Sequence, residues 1–251
     1  MNVLIVLAHP ECKSFNGGLV DEAVAQLIGE GHTVEVDDLY TEQFDPVERA
    51  GHYPHSAVAS DYFYPLNEQR AHHEENTLPQ DVQRELARLE WADLVIFQFP
   101  LWWHAQPAIL KGWFDRVLVY GGRYTSRMRY DKGYYRGKRA ILSVTTGSPE
   151  KTFQPFGRAG NMVHWLWPIH SSLYYVGFDV LAPQVSYGIQ GGGIRYQPEA
   201  DLPGHLEACK AAWASRLKSL NSELAIPFAG WGDWDEDGVL RQTTPLRWRL
   251  G

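Results

Sequence analysis

Three short stretches collect side chains able to do chemistry. AHPECKSFN (8–16) offers an imidazole (His9), a hydroxyl (Ser14), an amide (Asn16) and a thiol (Cys12), just ahead of a helical pattern. Free backbone N–H groups and the dipole at a helix start attract phosphate. Ser14, Asn16 and His9 would add side-chain donors. The same letters also fit a plain N-cap on Ser14 or Asn16, with His9 satisfied inside the loop. PLWWHAQP (100–107) sets Trp102, Trp103 and His104 between two prolines. That is an apolar wall suited to a planar ring system, unless both tryptophans are core. Thr145, Thr146 and Gly147 supply hydroxyls, backbone N–H groups and a residue that permits close approach.

Several chemistries are disfavoured by the letters themselves. A Rossmann turn needs G-x-G-x-x-G, and the first loop holds only Gly17-Gly18; a P-loop glycine-lysine run is absent. A phosphatase loop would place Arg six residues after Cys12, where Gly18 stands, so a hydrolase or phosphatase on the same sheet is disfavoured. Cys12 and Cys209 define no disulfide framework. His52, His55, His72, His73, Glu74 and Glu75 match no closed zinc spacing and read as exposed loop residues, so no metal is expected. The net charge of -7 argues against a nucleic-acid groove, although a local loop can still hold an anion. With no signal peptide and no apolar run of membrane-spanning length, the chain reads as cytoplasmic, without membrane insertion.

Alternating apolar runs and helical patterns must position these loops. Strands are expected at 2–7, 33–39, 93–99, 139–146 and 179–187, the last interrupted by Pro183. Helices are expected at 16–30, 79–92, 107–118, 160–176 and 203–220. Residues 40–78 show no clear period, and the tail after Ser222 shows none. Lys210, Arg216 and Lys218 read as a solvated helix face. Continuous apolar strands separated by helices imply an α/β fold, a doubly wound parallel five-stranded sheet with helices on both faces. Residues 1–222 would form this domain and 223–251 an irregular tail. In such sheets ligands sit beyond the carboxyl ends of the strands, where all three loops fall.

FQFPLWWHAQPAILKGWFDRV (97–117), LSVTTG (142–147), YDKG (130–133) and HPECKSFN (9–16) together resemble the NAD(P)H:quinone oxidoreductases, the DT-diaphorase and modulator-of-drug-activity group. The resemblance covers about residues 1–190. It implies a flavodoxin-like fold, a homodimer with shared active sites and a bound flavin, FAD more usually than FMN. It also implies hydride transfer from NADH or NADPH to the flavin, then two-electron reduction of a quinone-like acceptor.

The resemblance assigns His9, Ser14, Phe15 and Asn16 to the flavin's phosphates and ribityl chain. Pro100, Leu101, Trp102 and Trp103 become the isoalloxazine wall, with Trp103 also facing substrate. Thr145, Thr146 and Gly147 fall at the pyrimidine edge, where donors would stabilise the charge that flavin reduction creates. Asp115 and Tyr124 match positions that reach cofactor and substrate across the dimer. The sequence also departs from the group. A Tyr and a His that assist charge relay fall at Phe153 and Ala159, a second tyrosine is Ser126, and Trp102 and His104 differ. His104, whose side-chain type titrates near neutrality, is the candidate to replace the pair as proton donor beside the substrate. Two other readings are an azo or nitro reductase, and a flavin-binding regulatory subunit of a potassium-efflux-type transporter.

Overall fold

A computed structural model describes residues 1–57, 61–190 and 201–242. Its centre is three parallel strands without a polar face: β1 (Asn2–Leu7), β3 (Leu94–Pro100) and β4 (Arg139–Thr145). β2 (Thr33–Asp38) flanks β1. The stretch expected as one strand at 179–187 is two, β5 (Asp179–Val180) and β6 (Gln184–Ser186). β5 runs beside Arg139–Ala140 and β6 beside Ser143–Thr145. Pro183, which has no N–H to donate, separates them. The sheet therefore has six strands in place of the expected five, in the order β2-β1-β3-β4-β5 with β6 also on β4.

Alternate residues of the central strands feed two cores. Ile5, Ile96 and Ile141 pack with Leu19 and Leu27 of α1 (Phe15–Gly29) and Trp213 of α6 (Leu202–Leu217). Leu4, Val95, Phe97 and Leu142 pack on the other face. Their partners include Leu89 of α3 (Gln80–Trp91), Trp113 of α4 (Ala108–Val117) and Leu166 of α5 (Met162–Tyr175). Each such fully buried aliphatic contributes about 1.5–3 kcal/mol relative to exposure.

The segment 40–78 is not without structure. It carries α2 (Pro65–Glu74), whose buried residues are Glu68, Gln69 and His72. An apolar period cannot reveal a helix whose inner face is polar. Glu68 accepts from Ser56 Oγ (2.9 Å) and Ala57 N (2.8 Å). Gln69 donates to Asp115 O (3.1 Å) and accepts from Tyr120 N (3.2 Å). The reading of the histidines as exposed is thereby corrected for His72, which is 0 % exposed, and for His52, which lies mostly buried against Asp45.

Arg216 is also not solvated. It pairs with Glu223 and donates to Ala182 O, holding α6 to the chain that follows β5. The described part of the tail (223–242) docks through aromatic rings. Phe228 stacks on Tyr174 (4.4 Å between centroids), and Trp231 and Trp234 lie against Tyr130. Positions 243–251 lie outside the described residues. Among the described residues no helix is long and apolar enough to cross a membrane.

Candidate active site

The first, second and third loops leave the carboxyl ends of adjacent parallel strands and meet at one sheet edge. That edge includes the β1/β3 boundary, where the strand order reverses, the place at which open α/β sheets bind ligands. One buried side chain joins them. Asn16, 2 % exposed, donates to Thr145 Oγ1 (3.1 Å) and accepts from Gln98 Nε2 (2.9 Å). Its amide, expected to face a ligand, instead ties α1 to β3 and β4. The Phe15 ring packs toward the α1/α6 core. The backbone N–H groups of Phe15 and Asn16, in the first helical turn, have no intrahelical acceptor and are the donors this helix start offers.

Ser14 is the N-cap and accepts from Gly17 N (3.3 Å). Position 17 requires glycine, because a Cβ there would stand 1.7 Å from Cys12 O. The loop thus folds back onto the helix and leaves Cys12 exposed. His9 Nδ1 accepts from Glu11 N (3.1 Å), and its ring lies 5.9 Å from that of Trp102.

The second loop is a tight hairpin. Trp102 and Ala105 exchange both backbone hydrogen bonds, each 3.0 Å. Trp103 (φ 51°) and His104 (φ 62°) occupy the two central positions in the left-handed region. A two-residue turn with positive φ at both centres ordinarily takes Asn-Gly. A non-glycine residue held there costs of order 1–3 kcal/mol, and such strain clusters at functional sites. The turn lifts Trp103 off the sheet edge to 95 % exposure, with Trp102 at 41 %, so neither tryptophan is core. Pro100 is the buried last residue of β3, and Leu101 N donates to Thr145 O (2.9 Å), binding the second loop to the third.

In the third loop both hydroxyls are turned inward. Thr145 bonds Asn16, and Thr146 Oγ1 donates to Ser148 O (2.8 Å). What this loop can aim outward is backbone. Segment 186–189 braces it, through Thr146 N to Ser186 O (3.0 Å) and Ile189 N to Thr146 O (3.1 Å). A Cβ on Gly147 would come within 2.5 Å of Gln190 Oε1.

His104 leans on Trp165, with centroids 4.4 Å apart, and Trp165 Nε1 donates to Ala159 O (2.7 Å). Trp165 thus links the imidazole to Ala159, the position where the resemblance places the missing relay histidine. Phe153 is buried against Tyr187 (5.7 Å). Burial pushes the Tyr187 phenol up to about 12, so it stays protonated at neutral pH. Trp165 and Tyr187 were not legible as site residues, since an aromatic on a helix and a tyrosine after a strand read as core.

Asp115 and Tyr124 do not join this edge. They line a concavity of about 440 Å³ with Leu66, Lys111, Pro168 and Tyr175, which Gln106 alone of the loop residues touches. Asp115 is paired with Lys111 (2.5 Å), and burial raises the Tyr124 phenol.

The residues present fit a flavin. An uncovered aromatic wall stands beside a helix start with free donors and a glycine loop that presents backbone. The Flavodoxin_2 family, described as a flavodoxin-like fold, matches residues 1–212. The ribosyldihydronicotinamide dehydrogenase [quinone] of Mus musculus is 40 % identical over 225 residues, 89 % of this chain and 94 % of the relative. The NAD(P)H dehydrogenase [quinone] 1 of Rattus norvegicus is 45 % identical over 228 residues, 90 % of this chain and 80 % of the relative. Among solved structures, a candidate quinone reductase from Klebsiella pneumoniae superposes with TM-score 0.86 at 36 % identity, covering 96 % of this chain and 94 % of that one. The chain belongs to the flavodoxin-like family that contains these quinone dehydrogenases.

Proposed function

We propose that the chain is a flavin-dependent NAD(P)H dehydrogenase that reduces quinone-like acceptors by two electrons. The observation that carries the reading is the strained turn that holds Trp103 uncovered at the carboxyl edge of β3. The flavin supplies the hydride chemistry when bound. The protein's part is to bind and orient. Trp102 and Trp103 give the ring system an aromatic face. The helix start at Phe15 and Asn16 receives phosphate. The backbone N–H of Gly147, held in place by the braced Thr146, faces the pyrimidine edge, where negative charge is stabilised by a fixed donor. His104, held against Trp165, protonates the reduced acceptor in place of the relay absent at Phe153 and Ala159.

We read the flavin as FAD. The segment leading into α2 presents Tyr62, Tyr64 and Leu66 at 72, 47 and 50 % exposure, an apolar surface that suits an adenine half. The separation of Asp115 and Tyr124 from the loops supports a homodimer in which each lends these residues to the partner's site. The relatives' names include two kinds of donor. Anaerobic stopped-flow reduction with NADH, NADPH and dihydronicotinamide riboside, followed by a quinone, azo and nitro panel, tests the reading. Rapid bleaching of the flavin and fastest reoxidation by quinones are expected. A flavin reduced by none of the three donors would contradict it.

A further inference from the structure

Away from the sheet edge, α2 and the chain before it gather metal-ligating side chains. His72 lies in the last turn of α2, Glu75 is the residue that caps it three positions on, and His55 comes to them from residues 53–57. Their ligand atoms all lie within 4.8 Å of one another. His55 Nε2 is 3.3 Å from Glu75 Oε2, and His72 Nε2 is 3.4 Å from Glu68 Oε2. We propose that His55, His72 and Glu75, backed by Glu68, form a binding site for a transition cation such as zinc.

Three features beyond proximity support this. The His72 ring is held in place, stacked on Tyr53 at 4.9 Å, with Nδ1 2.6 Å from Thr77 Oγ1. Ligating histidines characteristically donate the other ring N–H to such an oxygen, which fixes the tautomer. His72 Nε2 is also ringed by oxygen, 3.0 Å from His55 O and 3.4 Å from Glu68 Oε2, so a cation taking the place of its proton would find oxygen ligands around it. Without a cation the ring carries its proton on Nε2 and donates to His55 O. Finally, His55 and Glu68 line a cavity of about 350 Å³ with Tyr53, Ser56 and Asp61, which gives a hydrated ion a way in. Two imidazoles with carboxylate suit zinc, cobalt, nickel or copper better than magnesium or calcium. The ion would clamp residues 55–57 onto α2.

The test uses untagged, chelator-treated full-length protein titrated with cobalt chloride and then with zinc chloride. Expected are a visible cobalt spectrum saturating at one ion per chain, its displacement by zinc, and a higher melting temperature with either ion. His55→Ala and Glu75→Gln should each weaken binding by at least about tenfold, since even residues behind a ligand shift metal affinity that much. Cys209→Ser, at the sulfur–imidazole contact that Cys209 makes with His205 on α6, should leave binding unchanged. Both ligand positions are largely exposed, at 53 and 48 %, so these variants should fold. Absence of a cobalt spectrum, or full binding retained in Glu75→Gln, overturns the site.

Discussion

The carboxyl edge of the sheet and the α2 segment are built by opposite means. At the edge, apolar strands are locked into a conventional core and the chemistry is carried by what the core leaves outside, above all a tryptophan at 95 % exposure. In α2 the order is reversed. Polar Glu68, Gln69 and His72 are inside, while Leu66 is half exposed. The edge spends local backbone strain to present side chains; α2 relies on satisfied buried polar contacts to hold a surface helix in place. Removing an edge side chain should therefore alter function with little effect on stability, and removing an α2 anchor should do the reverse.

The largest effect is expected in α2. Glu68→Ala removes the carboxylate that accepts from Ser56 Oγ and Ala57 N and lies beside the His72 ring. Removing the buried partner of such hydrogen bonds costs about 1–3 kcal/mol. Urea denaturation should show that loss; a change below about 1 kcal/mol would mean that the polar face does not anchor the helix. At the edge, His104→Gln should lower the acceptor half-reaction by about 10²-fold, the lower end for a positioned acid. Flavin content and urea midpoint should stay at the parent values. A rate within about twofold of the parent, far below the 10²–10⁴-fold typical of such a donor, would leave water as the proton source.

This contrast also explains what the sequence could and could not disclose. β1, β3 and β4 are buried on both faces, and such strands are continuous apolar runs, set apart from buried helix by their short length and the helical patterns that flank them. The three loops were then located by the strand ends alone. α2 was not legible because its buried residues are Glu, Gln and His, which carry no apolar period. The inward turn of Asn16, Thr145 and Thr146 was equally hidden. A hydroxyl or amide near a strand end reads the same whether it faces a ligand or a neighbouring loop. The His104–Trp165 contact joins residues 61 positions apart, and nothing local in either stretch announces it.

A smaller effect isolates the strain itself. Trp103→Asn combined with His104→Gly gives the hairpin the residues that its left-handed centres favour. The double variant should gain about 1 kcal/mol in urea unfolding while losing flavin and turnover. A variant no more stable than the parent would show that the turn is not strained by its side chains.

The central claim is that the uncovered Trp103 is one wall of the flavin site. It is tested most directly by titrating FAD into flavin-stripped protein and into Trp103→Ala, following the quenching of flavin fluorescence. A stacked aromatic contact is worth about 0.5–1.5 kcal/mol beyond its area. The dissociation constant of Trp103→Ala should therefore rise by at least about two- to tenfold, with an unchanged urea midpoint. An unaltered dissociation constant would contradict the account and place the flavin, or the tryptophan, elsewhere.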